Sequence, residues 1–232
     1  MNAIDLKCEM LEYSYKKNLG HIPSALSMFD YVYELFTTGR VTPMDRIVLG
    51  KPFGAQAYYI IWRALGYIDS IDNLSIAVKH DEIPFVDFSE ETIGDSLGVA
   101  AGIAMATTDK VWVNLTDATL QMGATLEAIQ FISQLKLSNI LVTVDYNRSQ
   151  VTGQVQDIIR VDPVIKFFRN YDWIVKYELD DFCIEHSPKV YILNTIKGCG
   201  IKSMEQDIKK WHYRKINSLI ELQSLVAELR DT

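Results

Sequence analysis

The chain is short of the residues that mark secreted, fibrous or nucleic-acid-binding proteins. Only three of its 232 residues are cysteines, Cys8, Cys183 and Cys199. Their odd number and irregular spacing exclude a disulfide framework or a cysteine-ligated metal and read as reduced thiols of an intracellular protein. Proline and glycine are few, six and 12, and no linker or low-complexity tract is built from them. Positive charge is also scarce: 23 Lys and Arg face 30 Asp and Glu, a net charge of −7. That balance argues against a nucleic-acid or anionic-membrane surface. No run of about 18 apolar residues occurs, and charges interrupt MNAIDLKCEMLEYSYKK, so neither a membrane span nor a signal peptide is expected. The cytoplasm is the expected location. Histidine is rare, with four in the chain, which makes each one worth placing. Apolar residues, in contrast, make up 48% of the chain, enough for a sizeable core.

No internal repeat, low-complexity tract or linker divides the sequence, so one domain over 1–232 is expected. Residues 3 to 18 have a helical pattern, and Pro23 suits the start of a second helix through SALSMFDYVYELF. RIVLG is a short strand candidate, AQAYYIIWRALGYI a strongly apolar helix, and ETIGDSLGVAAGIAMATT a helix of small residues. VWVNL (111–115) and NILVTV (139–144) are continuously apolar and flank the helical pattern ATLEAIQFISQLKL. A strand, helix, strand series with both strands apolar throughout describes a parallel βαβ unit. WIVKYEL and KVYILNTI add two strands, and INSLIELQSLVAELR closes the chain as an amphipathic helix. The alternation predicts an α/β fold: a doubly wound, mostly parallel sheet with helices on both faces.

Ligands of such sheets bind outside the carboxyl ends of the strands. Asp117 stands there after VWVNL, and Asn147 follows the next strand in VDYNRSQ, one crossover further on. A carboxylate, an amide oxygen and a loop carbonyl form a hard-oxygen shell of the kind Mg²⁺ takes, completed by diphosphate oxygens and water. A helix starting after Ala118 would aim its N–H groups at that phosphate. The plainer alternative also stands: Asp117 as a helix cap and Asn147 as a turn residue.

At this point the sequence resembles a known family. LTDATLQMGATLEA and VDYNRSQVTG are similar to the two ends of the thiamine diphosphate signature of transketolases. GHIPSALSMFDYVYELF, DRIVLGK, ETIGDSLGVAAGIAMA and ILNTIKGCGIKSMEQDIKKWHYR resemble further landmarks of the family's N-terminal half, in order. The resemblance implies a thiamine diphosphate-binding fold. It also implies Mg²⁺ held by Asp117, the Asn147 side chain and the Ser149 carbonyl, with Ile93, Gly94, Thr116, Ala118 and His212 beside the cofactor. His21, His80 and His212 match active-site histidines of the family.

Several positions depart from the family pattern. Thr116 and Ala118 replace glycines beside Asp117, which is tolerable if neither needs a positive φ. Phe53 stands in Lys51-Pro52-Phe53 where the family has a histidine, Met122 replaces a glutamate, and Thr92-Ile93-Gly94-Asp95-Ser96 carries a new acid at Asp95. Together these changes argue for an altered substrate, in the ketose or 2-oxo donor or in the acceptor, or for altered coupling between sites. The family's catalytic glutamate lies in a second, pyrimidine-binding domain, and no second βαβ series follows here. The resemblance therefore implies one subunit of a split transketolase, partnered by a pyrimidine-domain chain in an α₂β₂ assembly. The AYYIIW and LGVAAGIAMA helices are candidate interface material. Two other readings stay open: the diphosphate-binding subunit of a 2-oxoacid decarboxylase or dehydrogenase, and a non-catalytic scaffold.

Overall fold

The computed structural model describes residues 2–231. From the N-terminus come α1 (Ala3–Lys16), α2 (Ile22–Thr37), β1 (Arg46–Leu49), α3 (Gln56–Ala64), β2 (Val86–Ser89) and α4 (Ser96–Ala106). Next, β3 (Val111–Thr116) leads through a 3₁₀ turn, Asp117–Gln121, into α5 (Gly123–Gln134) and β4 (Ile140–Tyr146). A small hairpin of β5 (Ser149–Gln150) and β6 (Gly153–Gln154) precedes α6 (Val155–Ile158), α7 (Asp162–Asn170) and β7 (Ile174–Lys176). The last elements are β8 (Lys189–Asn194), α8 (Lys202–Gln206), α9 (Ile208–Trp211) and α10 (Leu219–Arg230). They fall into two compact units: Arg40–Pro52 with Lys79–Asn194, and Met1–Gly39 with Phe53–Val78 and Thr195–Thr232.

The first unit holds a six-stranded sheet in the order β2-β1-β3-β4-β8-β7. Every pairing in it is parallel. The chain leaves β1 for β2 on one side and later adds β3 on the other, so a topological switch point lies between β1 and β3. Val113 and Leu115, Val142 and Val144, and Val190 and Ile192 share one face of the three central strands. They join Leu97 and Ala100 of α4, Ile129 and Ile132 of α5 and Phe168 of α7 in a single core. On the opposite face Trp112, Leu141 and Tyr191 are fully buried, and Trp112 Nε1–H donates to Thr143 Oγ1 at 3.0 Å. Burial on both faces is why these strands read as unbroken apolar runs. Each fully buried Val, Leu or Ile contributes roughly 1.5–3 kcal/mol.

The second unit is helical, with α1 packed against α2, α3 and α10. Residues 57–62, AYYIIW, are completely buried, so this expected interface stretch is core. The LGVAAGIAMA helix is different: Leu97, Ala100, Ala101 and Ala104 are buried, while Gly98, Gly102 and Met105 face outward. Among the described residues no helix is long and apolar enough to cross a membrane.

Candidate functional site

The β3–β4 register pairs Thr116 with Asp145. Adjacent parallel strands therefore end together and bring Asp117 beside the loop that carries Asn147. Asp117 is fully buried. Its Oδ2 accepts the Arg148 backbone N–H at 2.5 Å, and its Oδ1 accepts the Thr116 hydroxyl at 3.2 Å. Asp145, also fully buried, pairs with Lys51 Nζ and accepts from Asn147 Nδ2 at 2.8 Å. Asn147 Oδ1 in turn accepts the Ser149 N–H at 3.0 Å. The loop is thus organised around two carboxylates. Burial, and then the charge of Asp145, push the Asp117 carboxyl up to about 6, against the Arg148 N–H, Lys51 and Thr116. A buried anion held against a second anion is short of positive charge, and a divalent cation would supply it. The donor set, one carboxylate, one amide oxygen and the Ser149 carbonyl, is of hard oxygens and fits Mg²⁺.

The turn after Asp117 differs from expectation. Residues 117–121 form a 3₁₀ turn, Met122 is extended, and the α-helix begins only at Gly123. Asp117 therefore does not cap α5, and the helix N-terminus is displaced from Ala118. Thr116 sits in extended backbone at φ −111°, and Ala118 lies within the 3₁₀ turn. Neither needs a glycine, and the Thr116 hydroxyl gains a bond to the carboxylate.

A second feature of this unit is a buried glutamate that gathers a loop. Glu90, buried at the end of β2, accepts the N–H groups of Gly94 (3.0 Å), Asp95 (2.9 Å) and Ser96 (2.7 Å). Thr125 Oγ1–H closes the loop from the other side by donating to the Gly94 carbonyl at 3.1 Å. Gly94 has φ +137°, and a Cβ there would meet Met122 at 3.3 Å. Glu90 thus fixes the backbone on which Ile93 and Gly94 are presented. A glutamate next to another, Glu91, offered no pattern that would single it out.

His80 also belongs to this unit. It is exposed, and its Nδ1 contacts the Val86 carbonyl. A carbonyl only accepts, so Nδ1 carries the proton and the ring pins the loop before β2.

His21 and His212 meet in the helical unit. His21 adopts a left-handed backbone (φ 56°) just before α2. Its ring stacks on Phe53 at 4.9 Å and meets His212 and Tyr213 edge-on at 5.2 Å and 5.1 Å. Gly20 permits this approach, because a Cβ there would lie 2.7 Å from the Tyr213 carbonyl oxygen. His212 is mostly buried, and its Nδ1 lies 3.2 Å from Lys197 Nζ. An ammonium can only donate. Nδ1 is therefore the acceptor, and the ring proton belongs on Nε2. Burial first, then Lys197 and His21, pull His212 down to about 4, so it is neutral near pH 7. Lys197, in the TIKGCG segment, is the second residue whose role emerged only from the geometry.

A six-stranded parallel sheet with a switch point and oxygen donors at its carboxyl edge defines a doubly wound α/β chain with a candidate ligand site at the strand ends. Solved transketolases share the fold. The enzyme from Pichia stipitis matches 99% of this chain with a TM-score of 0.70 at 15% identity. That from Campylobacter jejuni matches 98% with a TM-score of 0.69 at 17% identity. The chain spans less than half the length of those enzymes, 44% and 43%. Residues 100–190, which include Asp117, Asn147 and Ser149, match the family described as transketolase, thiamine diphosphate binding domain. One of the subunits of the apulose-4-phosphate transketolase of Phocaeicola vulgatus is 29% identical over 88% of this chain and 84% of its own length. A 6-deoxy-6-sulfo-D-fructose transketolase subunit from a Clostridium species is 25% identical over 94% and 91%. The chain resembles the N-terminal subunit of a split transketolase, a transferase component.

Proposed function

We propose that this chain is the cofactor-holding subunit of a two-chain, thiamine diphosphate- and Mg²⁺-dependent enzyme that transfers a two-carbon ketol unit from a ketose to an acceptor. The observation that carries the reading is Asp117: buried, raised to about 6, and organised with Asn147 and Ser149 at the carboxyl edge of the sheet. Asp117, the Asn147 side chain and the Ser149 carbonyl would hold the metal. Ile93 and Gly94, on the Glu90-braced loop, would offer the cofactor an apolar surface, with Thr116 and Ala118 beside its diphosphate. Bound cofactor would supply the electron sink needed to cleave a carbon–carbon bond next to a carbonyl.

His212 is assigned a donor role: its Nε2–H would bond a diphosphate or substrate oxygen. His21, wedged between Phe53 and Tyr213, would handle hydroxyl protons of the donor. His80 is the third candidate on the matched motif, with its free Nε2 available. Phe53 gives His21 an apolar neighbour, which supports a donor or acceptor other than ordinary pentose phosphates and a role in specialised metabolism. A partner chain with the pyrimidine pocket and the catalytic glutamate would complete the site in an α₂β₂ assembly. Three free thiols suit the cytoplasm.

The test is calorimetric binding of thiamine diphosphate with Mg²⁺ to the chain co-purified with that partner, beside the same complex carrying Asp117→Ala. Saturable, Mg²⁺-dependent binding lost in the variant is the expected result. A well-folded complex that binds nothing would return the chain to the scaffold reading. Turnover of xylulose 5-phosphate with ribose 5-phosphate at housekeeping rates would refute the substrate part alone.

A further inference from the structure

A cavity of about 390 Å³ opens at the carboxyl ends of β4, β7 and β8, against α7. Three cations line it, Arg148, Lys166 and Arg169, in a chain whose net charge is −7. Among the described residues none of the three has a carboxylate at ion-pair distance. Arg148 lies over the Tyr146 ring, 5.0 Å from its centroid, and donates through Nη2 to Asn194 Oδ1 at 2.9 Å. Arg169 lies over the Tyr177 ring at 5.7 Å and donates through Nη2 to that tyrosine's hydroxyl at 2.9 Å. Both partners are neutral, so each guanidinium keeps its full charge. Each also lies within cation–π range of a tyrosine ring and uses one N–H on a neutral acceptor, which leaves further N–H donors of the guanidinium for a ligand. The one acid in the lining, Asp162, is engaged by Arg160 at 3.6 Å and by the Tyr146 hydroxyl at 3.4 Å. Ile165 and Ile192 form a buried apolar floor.

We infer that this cavity is a binding site for a small phosphate-bearing molecule. Two oriented guanidiniums and one ammonium match the charge and the several acceptor oxygens of a phosphate dianion better than a single carboxylate. The volume lies within the range of small-molecule sites, and the isoleucine floor suits a compact apolar portion next to the phosphate. The site is separate from the metal-binding proposal, since it uses none of Asp117, Asn147 or Ser149. One link joins them: the backbone N–H of Arg148 is one of the two donors to the Asp117 carboxylate.

The experiment is an amide NMR titration of the full chain with inorganic phosphate, phenyl phosphate and acetate at constant ionic strength. The same titrations are run on Lys166→Gln, Arg169→Gln and the double variant. Saturable shifts at Tyr146, Arg148, Lys166 and Arg169 are expected with both phosphates, tighter for phenyl phosphate. Loss of two charge-assisted contacts in the double variant weakens binding by about tenfold or more. Should the double variant not fold, the two single variants carry the same test with smaller losses. Equal response to acetate, shifts confined to the Asp117 loop, or unchanged affinity in the folded variants would each overturn the assignment.

Discussion

At the residue scale the chemistry is set by which partner each polar group is given. Asp117 and Asp145 have the same side chain, yet Lys51 balances Asp145 directly while Asp117 receives only an N–H, a hydroxyl and the more distant charge of Lys51. That difference is why Asp117, rather than Asp145, is the carboxylate proposed to hold the metal. Mg²⁺ in the presence of thiamine diphosphate should therefore raise the melting temperature of the partnered chain, and Asp117→Asn should abolish the increment. His212 is shifted in the opposite direction, by burial first and then by the charges of Lys197 and His21. Its folded pKa of about 4 lies below the ordinary 6.5. Between those values the unfolded chain binds a proton that the folded chain refuses, so stability falls as the pH drops from 6.5 towards 4. Thermal unfolding across that window should show a shallower decline in His212→Gln. In Lys197→Met, nitrogen NMR should show His212 titrating at higher pH and losing its fixed Nε2–H tautomer. An unchanged tautomer would mean that Lys197 does not orient the ring.

At the element scale, loops do what regular elements cannot. The α4 helix begins at Ser96, but its entry is shaped by Glu90, which gathers three consecutive N–H groups onto one carboxylate. Glu90→Ala would leave buried donors unsatisfied, and bonds to a charged acceptor are worth about 1.5–3 kcal/mol each. A loss of about 3 kcal/mol in denaturant unfolding is expected, with faster amide exchange at Gly94, Asp95 and Ser96. Glu90→Gln, which keeps one acceptor oxygen, should recover part of it. The 3₁₀ turn at Asp117–Gln121 belongs to the same scale. The sequence pattern of α5 is helical from Ala124 onward, yet nothing in its periodicity reveals that Met122 is extended and that the helix waits for Gly123.

At the scale of the whole molecule, the outer side of α4 carries Gly98, Gly102 and Met105 and no charge. A Cβ at Gly98 or Gly102 would meet nothing within 4 Å. Gly98→Glu and Gly102→Glu should therefore leave the isolated chain as stable as before, or steadier by about 0.5–1 kcal/mol from reduced backbone entropy. If the proposed partner docks on this face, both variants should lose co-purification with it in size-exclusion chromatography. Retained assembly would move the interface elsewhere.

The local code was enough for the βαβ series, because strands buried on both faces must be apolar throughout and amphipathic helices must repeat at 3.6 residues. It was also enough to single out Asp117 and Asn147, since polar residues directly after such strands stand out against an apolar background. Short edge elements escaped it: β2, four residues of mixed composition, is too brief to declare itself. Tertiary structure alone decided which polar groups meet. Lys51 finds Asp145 across 94 positions, Arg46 finds Asp87 across 41, and Lys197 finds His212 across 15. Pairing at such separations depends on strand order and loop path, to which no local periodicity refers. The basic cavity beside β8 arises in the same way, from five segments that share no motif and come together only when the sheet is formed.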